Sequence, residues 1–304
     1  VNADLTAAVP DDLYADSDFS DAAIQACYVD GTRYAAPLSV ETTALFYNMD
    51  MVTEVPDTWE ELVEEASNDG GVQFDATSIY YDLGFVRACG GYIFNYQDGA
   101  YDTTDIGLSN DGAIQAYQFI DDLCNKYNLI TADVTADIAR SNFQNGKCAY
   151  YIGGPWDIDG FESAGVSFGI TEMPTFNGEN FVTPVGTQVS FVSNSSEKQD
   201  AAWQFIKYLI DNGAVDMYEA GDRIPAKLSD QNIDAIQNNE YTQAFIAQIN
   251  NGEPMPTVSE MGQLWTIHTN NIRSMWSGEQ TPEEAAKNMV AQLEEAINLM
   301  DSGK

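Results

Sequence analysis

An α/β fold organised in about two domains is what this sequence predicts, and three observations carry that expectation. The 304 residues are too many for one small core. Short runs rich in β-branched and aromatic residues alternate with longer segments whose apolar positions recur at helical spacing. No internal repeat, low-complexity tract or Gly/Ser linker lies between them, so two lobes would be joined by strands and structured crossovers.

Composition narrows the function classes. The chain is 44% hydrophobic and 12% aromatic, enough to bury a substantial core, although 48 acidic residues face 12 basic ones. A formal charge of −36 repels nucleic acid and anionic lipid, so neither is expected as a partner. No apolar run approaches the roughly 18 residues of a membrane span. No basic and apolar leader opens the chain, so any signal or anchor is expected to have been removed or to lie outside it. Cys27, Cys89, Cys124 and Cys148 stand far apart among apolar neighbours and read as buried free thiols.

Taken in order, residues 1 to 30 are Asp-rich. Asp16, Asp18 and Asp21 lack the glycine and terminal glutamate of a calcium loop, so no metal is expected there. Tyr34 to Asn48 reads as two strands joined through a polar kink, with Glu41 as its one acid. Such a kink is either a hinge between lobes or an ordinary sheet corner, and periodicity alone favours the corner. Thr58 and Glu61 form a capping box ahead of Trp59, Leu62, Val63 and Ala66, and Gly70-Gly71 ends that helix. Tyr80-Tyr81 falls in a loop or helix start; adjacent aromatics of this kind are more often core than ligand surface. From Ser109 a helix places Ile114, Tyr117, Ile120 and Cys124 on one stripe, with Asp121 and Asp122 opposite. Thr135 to Asn145 is a second helix, stopped by Gly146.

A strand over Lys147 to Ile152 runs into Gly153-Gly-Pro-Trp156, a turn that presents an indole at a strand end, either as core or as a ligand platform. Short strands follow over 168–173, 182–185 and 189–192, with a turn at Asn177-Gly178. Ser196 opens a helix bearing Trp203, Ile206 and Ile210, and 221–225 is an irregular loop. Helices are expected near Ile233, from Tyr241 to Ile249, and over the segment from Met261 to Trp276 that closes at Gly278. The last helix starts at Thr281-Pro-Glu-Glu284.

Catalytic templates find little support. The one histidine, His268, sits in an amphipathic helix and reads as a satisfied surface or groove side chain, and no phosphate-binding glycine loop is present. Carboxylate pairs of glycosidase type carry no weight among 48 acids. What remains are aromatics and isolated acids at loop and strand ends, the residue types that stack on pyranose faces and accept from sugar hydroxyls. Trp156, Trp265, Tyr80 and Glu41 are of those types, though periodicity does not bring them together.

The sequence resembles the extracellular solute-binding proteins of sugar ABC transporters, most closely the maltose/maltodextrin branch. Carrying the resemblance are Tyr34 to Asn48, Pro56-Asp-Thr-Trp-Glu-Glu61, Gly90-Gly-Tyr92, Phe143-Gln-Asn-Gly-Lys147, Gly154-Pro-Trp156, Met173-Pro-Thr-Phe176 and Met255 to Trp265. It implies a two-lobe periplasmic-binding-protein-like α/β fold with a multi-segment hinge and ligand held between lobes. By position, 1–40 and 187–235 would form the N-lobe, and 41–186 with 236–304 the C-lobe. The N-lobe would be incomplete, because the family's first βα units are absent. Glu41 would bond sugar hydroxyls from the hinge side, Tyr80 with neighbouring Tyr81 would lie against the sugar, and Trp156 and Trp265 would stack on it. Ser78 stands where the pattern has a glutamate, Ala136 where it has a tyrosine, and Thr269 where it has an arginine. The implied function is non-enzymatic delivery of a maltodextrin-like oligosaccharide to a membrane permease, outside the cell at the surface, lipid-anchored, or in the periplasm, with no cofactor. The alternatives are a binder of another oligosaccharide, a carbohydrate-active enzyme or an adhesive carbohydrate-binding module.

Overall fold

A computed structural model describes residues 3–29, 31–68, 70–97 and 99–302. The strands are β1 (Tyr28–Val29), β2 (Thr32–Arg33), β3 (Ala36–Glu41), β4 (Ala44–Asn48), β5 (Val72–Gln73), β6 (Phe94–Gln97), β7 (Ala100–Ile106), β8 (Tyr150–Gly153), β9 (Phe168–Thr171), β10 (Pro184–Ser190), β11 (Ile224–Pro225) and β12 (Glu253–Pro254). The first six helices are α1 (Asp21–Gln25), α2 (Trp59–Asn68), α3 (Ile79–Ala88), α4 (Asp111–Asn125), α5 (Ala136–Gln144) and α6 (Ile158–Ser163). They are followed by α7 (Gln199–Asn212), α8 (Ala214–Gly221), α9 (Asp234–Gln237), α10 (Glu240–Asn250), α11 (Met261–Trp276) and α12 (Pro282–Ser302).

The chain folds into two compact units. Unit 1 comprises Val1–Thr42, Gly154–Trp156 and Val185–Thr257; unit 2 comprises Thr43–Gly153, Asp157–Pro184 and Val258–Lys304. The boundary between the units falls at Thr42/Thr43, so β3 and β4 lie in different sheets rather than being one strand bent within a single sheet. Residues 236–257, expected with the C-lobe, group with unit 1, where β12 extends its sheet.

Unit 1 holds a four-stranded sheet in the order β11-β3-β10-β12, with β3 antiparallel to both β10 and β11. Helix α7 packs on β3 through the face carrying buried Trp203, Ile206 and Ile210. Unit 2 holds the sheet β5-β8-β4-β9, in which β4 is antiparallel to β8 and β9 while β5 runs parallel to β8. Its core is aromatic. Phe46 on β4 meets Phe143, Tyr151 and Phe161 edge-on at 5.6–6.3 Å, and Trp59 on α2 is ringed by Phe74, Phe85, Phe119 and Phe181.

Several expectations change. The strands expected over 182–185 and 189–192 are one strand, β10, continued through an irregularity in register between Gln188 and Val189. Helix α7 starts at Gln199, not Ser196, because Ser196 Oγ accepts from Lys198 N and closes a separate turn. The loop expected over 221–225 instead takes in the end of α8 at Gly221, a left-handed Asp222 and β11. The buried stripe of α4 takes in Ala113, Ala116 and Leu123 beside the expected Tyr117, Ile120 and Cys124, whereas Ile114 is only half-buried. Cys89 is half-buried, since it caps the C-terminus of α3 rather than facing a core. His268 is wholly buried, not a surface or groove residue, because its face of α11 packs on α3 and α4.

Candidate functional site

Unit 1 presents Glu41 at the end of β3, opposite Gly186 in register. Gln188 Nε2 donates to Glu41 Oε2 at 3.0 Å and Arg223 Nη1 donates to the same oxygen at 3.1 Å. Both partners thus hold one oxygen and orient the carboxylate. As a part-exposed ion pair the Arg223 contact adds little stability by itself. A side chain at position 186 would stand 3.4 Å from Oε1, so the glycine keeps the space beside that acceptor open.

Trp156 groups with unit 1, in the 3-10 turn over Pro155–Asp157. Its indole lies against the backbone of Gly154: a Cβ there would fall 2.3 Å from Cη2, so only glycine admits the ring. The indole is 41% exposed. In unit 2, Asp157 is buried and receives Arg140 Nε at 2.6 Å and Tyr151 Oη at 2.9 Å. Burial, with Asp157 beside it, pushes the Tyr151 hydroxyl far up, so it stays a donor. Gly153 is needed for this contact, because a Cβ there would be 2.4 Å from Asp157 Oδ2.

Tyr80 and Tyr81 occupy the first turn of α3. Ser78 Oγ accepts from Tyr80 N at 3.3 Å as the cap, and Asp75 Oδ1 accepts from Thr77 N and Oγ1, forming a turn ahead of it. The two rings meet edge to face at 5.6 Å and are half-buried. Burial, then Asp157 and Asp75, pushes the Tyr81 hydroxyl above its ordinary range, which keeps it protonated. Trp265, on α11, is 39% exposed. One turn further on, His268 Nδ1 and Thr269 Oγ1 both lie 3.0 Å from the Thr77 carbonyl oxygen, tying α11 to the segment that leads into α3.

Within unit 2 the structure therefore brings Tyr80, Tyr81 and Trp265 onto elements joined at Thr77, and within unit 1 it groups Glu41 with Trp156. Ser78 and Thr269, where the resemblance expects a glutamate and an arginine, take up uncharged cap and carbonyl bonds at this junction. Ala136 is simply the first residue of α5. Gln188, Arg223, Arg140 and Asp157 were not singled out from the sequence, since each earns its role through a partner on another element. Among the described residues no group of three or more His, Cys, Asp or Glu side chains is placed to hold a metal.

Residues 1–244 match the family of bacterial extracellular solute-binding proteins. The chain belongs to that family. It is 32% identical over 300 residues to the galactooligosaccharide-binding protein of Bacillus subtilis (strain 168), covering 94% of this chain and 71% of that one. It is 28% identical to the maltooligosaccharide ABC transporter solute-binding lipoprotein of Streptococcus pneumoniae (strain ATCC BAA-255 / R6), covering 88% of this chain and 66% of the relative. Among solved structures it resembles the maltose-maltodextrin binding protein of Alicyclobacillus acidocaldarius, with a TM-score of 0.89 and 32% identity over 95% of this chain and 79% of that one. A cyclo/maltodextrin-binding protein complexed with maltotetraose gives 0.90 and 29%, over 96% and 78%. This solute-binding family is a binding one, not a catalytic one, so the enzyme alternative is set aside. No described helix of this solute-binding protein is long and apolar enough to cross a membrane.

Proposed function

We propose that the protein binds a maltodextrin-like oligosaccharide and delivers it to the membrane permease of an ABC transporter. One observation carries the sugar reading. Of the five tryptophans, Trp59, Trp203 and Trp276 are buried, while Trp156 and Trp265 are 41% and 39% exposed. Tryptophan is seldom left in water without a use, and a flat indole is the natural partner for the apolar face of a pyranose. Glu41, held from one side by Gln188 and Arg223, supplies a charge-assisted acceptor for sugar hydroxyls, and Tyr80 and Tyr81 add aromatic surface and hydroxyl donors. The relatives named for maltooligosaccharide, and the neighbour solved with maltotetraose, support an α-glucan ligand. The galactooligosaccharide-binding relative supports a second reading, a galactose-containing oligosaccharide. Isothermal calorimetry with maltotriose and with a galactooligosaccharide decides between them; saturable heat with neither would remove both.

A further inference from the structure

Next in sequence to the two tyrosines on α3 is one member of a pair of ionisable groups with no role in the site as described. Asp82, on α3, and His268, on α11, are both wholly buried in unit 2, with His268 Nε2 3.7 Å from Asp82 Oδ2. Neither carboxyl oxygen of Asp82 has a hydrogen-bond partner, and neither does His268 Nε2. The other ring nitrogen, Nδ1, faces the Thr77 carbonyl oxygen at 3.0 Å.

The geometry fixes the protons. A carbonyl oxygen has lone pairs only, so Nδ1 must carry a hydrogen and donate it to Thr77. Nε2 is then a lone-pair acceptor unless the ring is an imidazolium. An imidazolium facing a carboxylate would put two charges in a dry site. The titratable groups facing the pair offer no help: Asp75 pushes the Asp82 carboxyl further up, and Tyr117 on α4, its ring 6.0 Å from the imidazole, gives its hydroxyl to Met289 Sδ on α12. No lysine or arginine among the described residues pairs with either group. The neutral arrangement partners two of the three orphaned atoms and leaves the third, Oδ1, an uncharged carbonyl oxygen: a carboxylic acid O–H at Oδ2 faces a bare imidazole nitrogen, with a closing shift of about 0.7 Å to ordinary hydrogen-bond length.

We infer that Asp82 and His268 form an uncharged relay, Asp82 O–H to Nε2 and Nδ1–H to the Thr77 carbonyl, and that Asp82 is thereby a positioning residue for the segment carrying Tyr80 and Tyr81. The relay locks the tautomer that holds Thr77. Thr77 in turn joins α11, which bears Trp265, to the start of α3. Burial favours the uncharged form of each group, holding the Asp82 carboxyl well above the usual carboxylate range and the His268 ring down at about 4. The effect on ligand rests on the reading of these aromatics as sugar contacts.

The sequence holds a single histidine, so ¹⁵N-histidine labelling reports His268 alone. Between about pH 6 and 8 the relay requires a protonated Nδ1 and a bare, pyridine-type Nε2. An imidazolium, or the tautomer protonated on Nε2, overturns it. Maltotriose calorimetry then tests positioning: Asp82→Ala should weaken binding about tenfold, while Asp82→Asn, which keeps a neutral donor, should restore most of the affinity. Equal losses in both variants, or none in either, overturn the positioning role. Should Asp82→Ala fail to fold by near-ultraviolet circular dichroism, Asp82→Leu fills its volume without a donor and is scored the same way. Absence of maltotriose binding by the unaltered protein would overturn the sugar reading, and the imidazole spectrum would still decide the relay.

Discussion

At the scale of single residues, the exposed indoles and the buried pair each lead to a measurable outcome. Trp156→Ala and Trp265→Ala should each cost about 1 to 3 kcal/mol of oligosaccharide affinity by calorimetry, with little change in thermal stability because both rings are partly in water. The buried pair predicts opposing pH terms. His268 titrates at about 4 in the folded chain against an ordinary 6.5, so the unfolded chain takes up its proton first, and stability is lost as pH falls through that window. Asp82 is the reverse: its raised folded pKa means the unfolded chain releases a proton first, so stability is lost as pH rises above about 3.8. Between pH 4 and 6.5 the terms offset each other. Asp82→Asn removes one of them, so its urea-unfolding free energy should fall more steeply than that of the unaltered protein on going from pH 6.5 to 4. Parallel profiles would mean that Asp82 titrates as an ordinary carboxyl. None of this pair was legible in the sequence, because Thr77 and His268 are 191 residues apart and a lone histidine on an amphipathic helix reads as a surface group. The residue types proposed for the sugar were legible as chemistry, but only the family resemblance joined them into one set.

At the scale of elements, helix ends were the most readable feature. The box at the start of α12 forms in full: Glu284 Oε2 accepts from Thr281 N and Oγ1, and Thr281 Oγ1 accepts from Glu284 N. Thr281→Ala should therefore lower unfolding free energy by about 1 kcal/mol, as measured by chemical denaturation. Thr58 and Thr135 cap α2 and α5 through one half of that box, their hydroxyl oxygens accepting from Glu61 N and Ile138 N. Two-residue strands such as β5, β11 and β12 were not legible, because so short a segment has no period and exists only through its neighbour's hydrogen bonds. Nor was the close approach of α4 to the end of α3. There a Cβ on Gly112 would stand 1.7 Å from the Cys89 carbonyl oxygen and 2.8 Å from its carbon, backbone atoms that cannot swing aside. Gly112→Ala should force the helices apart and destabilise by about 2 kcal/mol or more, well beyond the effect of an alanine at solvent-facing Gln118, read as a fall in denaturation midpoint.

At the scale of the whole molecule, 48 acidic groups against 12 basic ones leave a self-repelling charge of −36. Added salt screens that repulsion, so raising sodium chloride from low to about 0.5 M should raise the melting temperature by about 2 to 5 °C, while a protein of balanced charge would respond little. The charge has a companion in how the remaining titratable side chains are stored. Burial pushes the Cys27 and Cys148 thiols up to about 12 and raises those of Cys89 and Cys124 as well, while it holds the sole imidazole down at about 4. No described imidazole or thiol is thus left to gain or lose a proton between about pH 6 and 8. Ligand capture at neutral pH would then be proton-silent: the calorimetric enthalpy should be the same in phosphate as in Tris, and a drift in external acidity over that range would leave the protein's grip on its solute unchanged.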